Sequence, residues 1–319
     1  MKKHPLIFAI ILGLILPWLL FSGAETFYHR QRNMQETTEQ PTEPADAAVV
    51  NIQMDDGEIE VLELEEYLVG VLLGEMPASF ELEALKAQAV AARTFSVKNM
   101  KLRYKHDAFD LCSDSGCCQA YYRINSYLAD GGTRDAVDKV TEAVAATAGQ
   151  VLLYNGELIE ATFFSCSGGK TEDAVAVWGT DVPYLQAVDS PGEEKATHYM
   201  DTVTFTAHQF QTLLSRELTG FPGDWIESVT YTAGGGVDTI KIAGQTYTGI
   251  EIRKRLSLNS TAFIISAVGD SVTVTTKGFG HRVGMSQYGA DAMALQGNGY
   301  DEILAYYYPG TNLELYNRI

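Results

Sequence analysis

The stretch from Tyr67 to Lys98, Y-L-V-G-V-L-L-G-E-M-P-A-S-F-E-L-E-A-L-K-A-Q-A-V-A-A-R-T-F-S-V-K, constrains the fold more than any other part of the chain. Leu64, Leu68, Val71 and Leu72 recur at steps of three and four, which predicts an amphipathic helix, and Glu75 takes the next place on the same stripe. Pro77 disfavours helix at the residue before it, so this helix should stop near Glu75. Ser79 then serves as the N-cap of a second helix, with Glu81 and Glu83 in its first turn and Leu82, Leu85, Ala89 and Ala92 on one face. A carboxyl held between two apolar helices is partly desolvated, and desolvation favours its protonated form. Such a group can donate a proton at neutral pH, as general-acid cleavage of a glycosidic bond requires. The bland alternative is a glutamate at the edge of the stripe with its head in water.

With 319 residues, 46% of them hydrophobic, the chain can build a sizeable core in one or two domains. Its formal net charge is −18, and the sequence shows no basic cluster beyond Lys98–Lys105, which argues against nucleic-acid binding. Lys2, Lys3 and His4 precede an apolar run from Leu6 to Phe21, broken by Gly13 and Pro17. With its flanks this run reaches about 20 residues, the edge of what spans a bilayer. An uncleaved anchor with its basic end inside is the preferred reading of residues 1–24. A cleaved signal peptide is the alternative, since Ser22, Gly23 and Ala24 are small, although no clean A-x-A site follows. Either reading places everything after Glu25 outside the cytoplasm. Residues 25–47 are polar, carry Pro41 and Pro44, and read as a disordered linker.

From Val49 onward the pattern predicts an α+β fold, in which helices pack on short antiparallel sheets. Two strands enclose the Asp55–Gly57 turn, the helix pair follows to about Tyr104, and His106–Tyr122 is a cysteine-rich loop. Thr133–Ala148 reads as a helix capped by Thr133 and stopped at Gly149. V-L-L-Y, the Asn155–Gly156 turn and L-I-E-A-T-F-F predict a hairpin. The expected organisation is a catalytic domain in two parts, 48–199 and 271–319, with a smaller α+β lobe inserted at 200–270. Residues 271–276 are read as a strand opening the closing part, and Ser286 begins a helix running to about Leu295.

Beside Glu75, three constellations could carry chemistry. Most glycosidases pair two carboxylates, yet Glu65, Glu66, Glu81 and Glu83 fall where exposed or dipole-complementing acids belong. A single acid needs a nucleophile within the substrate, such as the 6-hydroxyl of N-acetylmuramic acid. His106, Cys112 and Cys118 offer one imidazole and two thiolates suited to zinc. Cys117, Cys166, water or nothing completes that set; the alternatives are unliganded thiols or a Cys117–Cys166 disulfide. G-F-G-H-R-V-G-M-S-Q-Y-G-A (Gly278–Ala290) reads either as part of a carbohydrate cleft or as a tight turn with a satisfied histidine. F-F-S-C-S-G-G-K-T-E (Phe163–Glu172) reads as a substrate-lining edge or a plain hairpin end.

Taken in order, L-L-G-E-M-P-A-S-F-E-L-E-A-L-K-A-Q-A-V-A-A-R-T, F-F-S-C-S-G-G-K-T-E with the following V-W-G and P-Y-L, and G-H-R-V-G-M-S-Q-Y-G-A resemble the stage II sporulation protein D family over residues 48–319. The resemblance implies a membrane-anchored lytic transglycosylase that cuts peptide-free glycan strands of peptidoglycan and leaves 1,6-anhydro-muramic ends during sporulation engulfment. It puts the catalytic Glu on Glu75 and zinc ligands on His106, Cys112 and Cys118. The substrate-binding residues expected from these stretches are Arg93, Ser165, Ser167, His281, Ser286, Gln287 and Tyr288. It further implies an amidase partner (stage II sporulation protein P), a membrane partner (stage II sporulation protein M), and a place on the mother-cell membrane facing the forespore. Arg282 stands where the family usually has glycine, and Cys117 adds a thiol beside Cys118. A zinc-dependent cell-wall hydrolase and a non-catalytic glycan-binding scaffold for an amidase remain as competing expectations.

Overall fold

The structure, a computed structural model, describes residues 48–316 apart from Tyr104; the expected anchor and linker in residues 1–47 lie outside the described residues. Among the described residues no helix is long and apolar enough to cross a membrane. The chain opens with an antiparallel pair, β1 (Val49–Gln53) and β2 (Ile59–Glu63), that runs directly into α1 (Leu64–Glu75). Helix α2 (Leu82–Leu102) follows, and β3 (Leu111–Cys112) joins β1 in parallel.

Helix α2 is the centre of the first core. The sequence suggests one apolar face, but its middle turns are buried almost all the way round, from Ala84 and Leu85 through Ala87–Val97. The run of alanines is what permits this, because small side chains let neighbouring elements close in on every side. Three of its buried polar side chains bond back along the helix: Thr94 Oγ1 donates to the Val90 carbonyl (2.7 Å), Ser96 Oγ to Ala92 (2.8 Å) and Asn99 Nδ2 to Phe95 (2.8 Å). Ser79 does not cap this helix. Pro77–Phe80 closes a turn instead, Glu81 occupies the N-cap, and the Glu81 N–H donates to the Asp291 carboxylate at 2.7 Å.

Short α3 (Ile124–Ala129) leads to α4 (Arg134–Ala146), where Thr133 Oγ1 caps the Ala136 N–H at 3.2 Å and Val137, Val140, Ala143 and Val144 are buried. Strand β4 (Gln150–Tyr154) turns through Asn155 (φ 52°) and Gly156 (φ 80°) into β5 (Glu157–Leu158), and its other edge pairs with β14 (Asn312–Leu315). The hairpin ends there. Instead of continuing it, Phe163–Phe164 form β6, which pairs in parallel with β13 (Met285–Ser286). This pairing across about 120 residues brings the S-C-S-G-G and G-F-G-H-R loops side by side; Cys166 and Phe279 exchange both backbone hydrogen bonds (3.3 and 2.7 Å).

A short helix, α5 (Ala174–Trp178), precedes a second core. Here β7 (Met200–Thr206), α6 (Ala207–Leu214), the sheet of β8 (Ile226–Tyr231), β9 (Val237–Ile242) and β10 (Gln245–Thr248), α7 (Gly249–Leu256), β11 (Phe263–Val268) and β12 (Ser271–Lys277) gather around Phe210, Trp225, Ile240, Ile252 and Val274. Strand β12 lies between β7 and β11, so residues 271–277 belong with this core and not with the closing segment. The chain ends with α8 (Gln287–Leu295), α9 (Tyr300–Tyr307) and β14, which return to the first core.

Candidate active site and metal centre

Glu75 is the last residue of α1, half-buried, and its position depends on Gly70 and Gly74, which precede it in the same helix. A Cβ on Gly70 would sit 2.2 Å from the ring of Tyr121, and one on Gly74 would sit 3.1 Å from the backbone of Ala120. Because both lack side chains, the segment 119–122 lies flat on the helix, and the Tyr122 N–H donates to the Gly70 carbonyl at 3.0 Å. The Ala120 N–H then reaches Glu75 Oε1 at 2.5 Å. Burial raises the pKa of Glu75 above the ordinary carboxylate range, while the Ala120 N–H and the nearby amide of Gln287 oppose the shift. The spacing of Gly70 and Gly74 ahead of Glu75 is the sequence signal that identifies this docking, and the apolar stripe alone does not reveal it.

Glu75 opens into a cleft of about 390 Å³ whose walls include Gln119, Phe164, Ser165, Phe279, His281 and Gln287, with Cys118 at one end. Glu75 is the sole carboxylate among the described residues that line it. Of the residues expected to bind substrate, Ser165, His281 and Gln287 meet here. His281 presents its ring and not its nitrogens: Nδ1 accepts from the Val283 N–H (3.1 Å), and the Phe163 backbone takes another bond. Burial, helped by the charge of Arg253, pulls its pKa down to about 4, so the imidazole is neutral at pH 7. It packs between Phe164 and Trp178, each at 5.6 Å between ring centroids.

The other expected binding residues do structural work. Ser286 is fully buried and caps α8 through the Gly289 N–H (3.2 Å). Tyr288 packs edge-on against Phe80 at 4.8 Å. Ser167, also buried, donates to the buried Glu193 carboxylate (2.9 Å), which also receives the Ser167 N–H (2.7 Å) and the Cys166 thiol (3.2 Å). Arg93 is the clearest correction. It is wholly buried behind α2, forks onto Glu65 with Nε (2.8 Å) and Nη2 (2.6 Å), and spends its remaining donors on Thr147 Oγ1 and the Val144 and Gln150 carbonyls. None of these atoms is left for a substrate.

Arg282 holds a left-handed conformation, φ 69°, which explains why glycine suits its position. Its buried guanidinium donates from Nε to the Ser167 carbonyl (2.9 Å) and from Nη2 to the Lys170 (2.6 Å) and Gly234 (2.8 Å) carbonyls. The buried Glu172 carboxylate lies 3.8 Å from Nη1.

The cysteine-rich loop folds so that His106, Cys112, Cys117 and Cys118 bring their ligand atoms within 4.8 Å of one another. His106 Nε2 lies 3.3 Å from Cys118 Sγ and 3.6 Å from Cys117 Sγ, and the two sulfurs are 3.9 Å apart. A tetrahedral zinc with Zn–S near 2.3 Å has edges of about 3.8 Å between sulfurs. The donor set therefore fits that ion. The fourth donor of this cluster is Cys117; Cys166 is engaged with Glu193 elsewhere. All four cysteines are free thiols, so there is no Cys117–Cys166 disulfide.

A family model described as stage II sporulation protein matches residues 53–154. The chain is 45% identical over 260 residues to stage II sporulation protein D of Bacillus subtilis (strain 168), covering 80% of this chain and 75% of that one. It is 38% identical over 311 residues to stage II sporulation protein D of Bacillus amyloliquefaciens, covering 94% and 90% of the two chains. A protein of Bacillus subtilis named amidase enhancer is 32% identical over 307 residues, covering 78% of this chain and 40% of that protein.

Proposed function

Starting from the fact that this chain belongs to the stage II sporulation protein D family, we propose that it is a peptidoglycan lytic transglycosylase acting on peptide-free glycan strands during engulfment. The supporting observation is a cleft with one half-buried carboxylate and no second acid among its described lining residues. Two-carboxylate hydrolysis has no partner group there. In the proposed reaction Ala120 N–H occupies Oε1 of Glu75, which leaves Oε2 to carry the proton. That proton passes to the glycosidic oxygen as the bond from C1 of the N-acetylmuramic acid ring breaks. The ring's own 6-hydroxyl closes on C1 and returns its proton to Glu75, so no water is consumed and a 1,6-anhydro end remains.

His106, Cys112, Cys117 and Cys118 would hold zinc, which when bound supplies a cross-link for the loop. Four protein donors close the coordination as structural sites do, which weighs against activation of water at the metal. Ala120 lies two residues beyond Cys118, so the same loop carries the N–H that orients Glu75. The N-terminal segment is proposed to anchor the enzyme in the mother-cell membrane facing the forespore, beside an amidase and a membrane partner. The relative named amidase enhancer favours a second reading, in which the cleft binds glycan without cutting it and assists that amidase.

One experiment separates the readings. Denuded glycan strands are incubated with the protein in oxygen-18 water and the products analysed by mass spectrometry. Anhydro ends free of oxygen-18 are expected, with Glu75→Gln slowed by about 10²- to 10⁴-fold. Oxygen-18 in the products, or full activity in Glu75→Gln, would overturn the mechanism; no cleavage at all would leave the accessory role.

A further inference from the structure

Two amide atoms in the cleft beside Glu75 have no partner in the protein. Gln119 and Gln287 are 1% and 5% exposed, and both line the cleft. Nε2 of Gln119 donates to Ser96 Oγ (3.0 Å) and to Tyr67 Oη (3.4 Å), which fixes the amide and leaves Oε1 a buried acceptor without a donor. Nε2 of Gln287 is a buried donor with no acceptor at bonding distance and angle; it carries two N–H groups, so one is free even where the amide leans toward Glu75. An orphaned buried polar atom loses its hydration without a replacement bond, and native proteins keep few of them. An orphaned acceptor and an orphaned donor in one cleft are the complement of a secondary amide, whose N–H donates and whose carbonyl accepts. Phe95, Phe163 and Phe164 supply an apolar lining beside them.

We propose that Gln119 and Gln287 form a subsite for the 2-acetamido group of an amino sugar, Oε1 of Gln119 accepting from the acetamide N–H and Nε2 of Gln287 donating to its carbonyl. The inference rests on the saccharide reading of the cleft and adds the group by which the cleft selects its sugar. A ring with a plain hydroxyl at C2 leaves both amide atoms unpaired, and sites built around such bonds reject the analogue that lacks them.

The test compares two neutral β-1,4 tetrasaccharides that differ only at C2, chitotetraose and cellotetraose. Their binding to the full chain carrying Glu75→Gln is measured by titration calorimetry, so that no cleavage is needed. The parent should prefer chitotetraose by at least about tenfold. Adding Gln287→Leu or Gln119→Met should weaken chitotetraose about tenfold and leave cellotetraose unchanged, so that the preference collapses. A purely structural role would weaken both sugars together. Equal binding of the two sugars by the parent, or an undiminished preference in both variants, overturns the subsite while leaving the transglycosylase reading intact. Binding of neither sugar by the parent overturns the saccharide cleft and the subsite together. If Gln119→Met fails to fold, because Gln119 also bonds Ser96 and Tyr67, Gln287→Leu decides alone.

Discussion

Replacing Arg93 separates a substrate contact from a buried strut. Its guanidinium reaches Glu65 through two bonds of 2.8 and 2.6 Å and the Val144 and Gln150 carbonyls at 3.2 and 3.3 Å. Breaking a buried pair by removing one partner costs about 3–5 kcal/mol. Here the lower end applies, because the Glu65 side chain is 40% exposed and recovers water, and because the Val144 carbonyl keeps the Thr147 N–H (3.2 Å). Arg93→Met should therefore lower stability by about 3 kcal/mol in urea unfolding. Arg93→Lys should lose about 1–2 kcal/mol, since a single ammonium cannot reproduce the fork. In both variants turnover per folded molecule on glycan strands should stay at the wild-type value. Wild-type stability combined with a raised KM in Arg93→Met would show that the side chain faces the substrate and would refute the strut.

The remaining expectations concern the metal and the neutral histidine. Protein produced with zinc should carry one ion per chain by elemental analysis, and chelation should lower the melting temperature and slow glycan cleavage together; absence of stoichiometric metal would refute the four-donor site. Saturation at about 1,000 times the dissociation constant contributes about 4 kcal/mol, so the shift should be several degrees. His281, with its folded pKa near 4, stays neutral while the unfolded chain binds a proton below about 6.5. Its stabilising effect is therefore full above pH 6.5 and lost as pH falls to 4, by roughly 3 kcal/mol. His281→Asn should flatten that part of the stability profile, and an unchanged acid slope would show that other groups carry it.

The sequence signals that survive folding are the local ones. The end of α1 at Glu75, the Thr133 cap, the Asn155–Gly156 turn and the start of α8 at Ser286 each depend on residues within a few positions of one another. Three of the four donors that could hold a metal, His106, Cys112 and Cys118, were legible for a similar reason, since the whole set lies between His106 and Cys118; the sequence leaves the fourth, Cys117, open. What the sequence could not show depends on distant partners. Strands β6 and β13 are two residues each, too short for any period, yet their pairing brings Ser165 and His281 to the cleft. Arg93 is one basic residue among alanines, and nothing local distinguishes a buried cation from an exposed one until Glu65 and the end of α4 close over it. Ser79 had the right chemistry for a cap, but Pro77–Phe80 formed a tight turn and Asp291 from α8 took over the helix start.

Arg282 shows how the cleft wall is held from behind. A residue other than glycine in the left-handed region costs about 1–2 kcal/mol, and its three backbone acceptors repay that through charge-assisted bonds. Two of those acceptors, Ser167 and Lys170, belong to the loop beside the cleft; the third, Gly234, comes from the β8–β9 turn of the second core. Glu172 reinforces the same junction, receiving the Gly234 and Gly236 N–H groups (3.1 and 3.3 Å) and the Thr232 hydroxyl (2.6 Å) while facing the guanidinium. The glycines are required there too: a Cβ on Gly234 would lie 2.4 Å from the Thr171 carbonyl oxygen, and one on Gly236 2.7 Å from Glu172 Oε2. The backbone at position 282 therefore keeps the conformation that glycine would adopt, while the side chain adds a tie between the two cores. The second core thereby does more than extend the molecule, because it braces the loop that carries Ser165 into the cleft opposite Glu75.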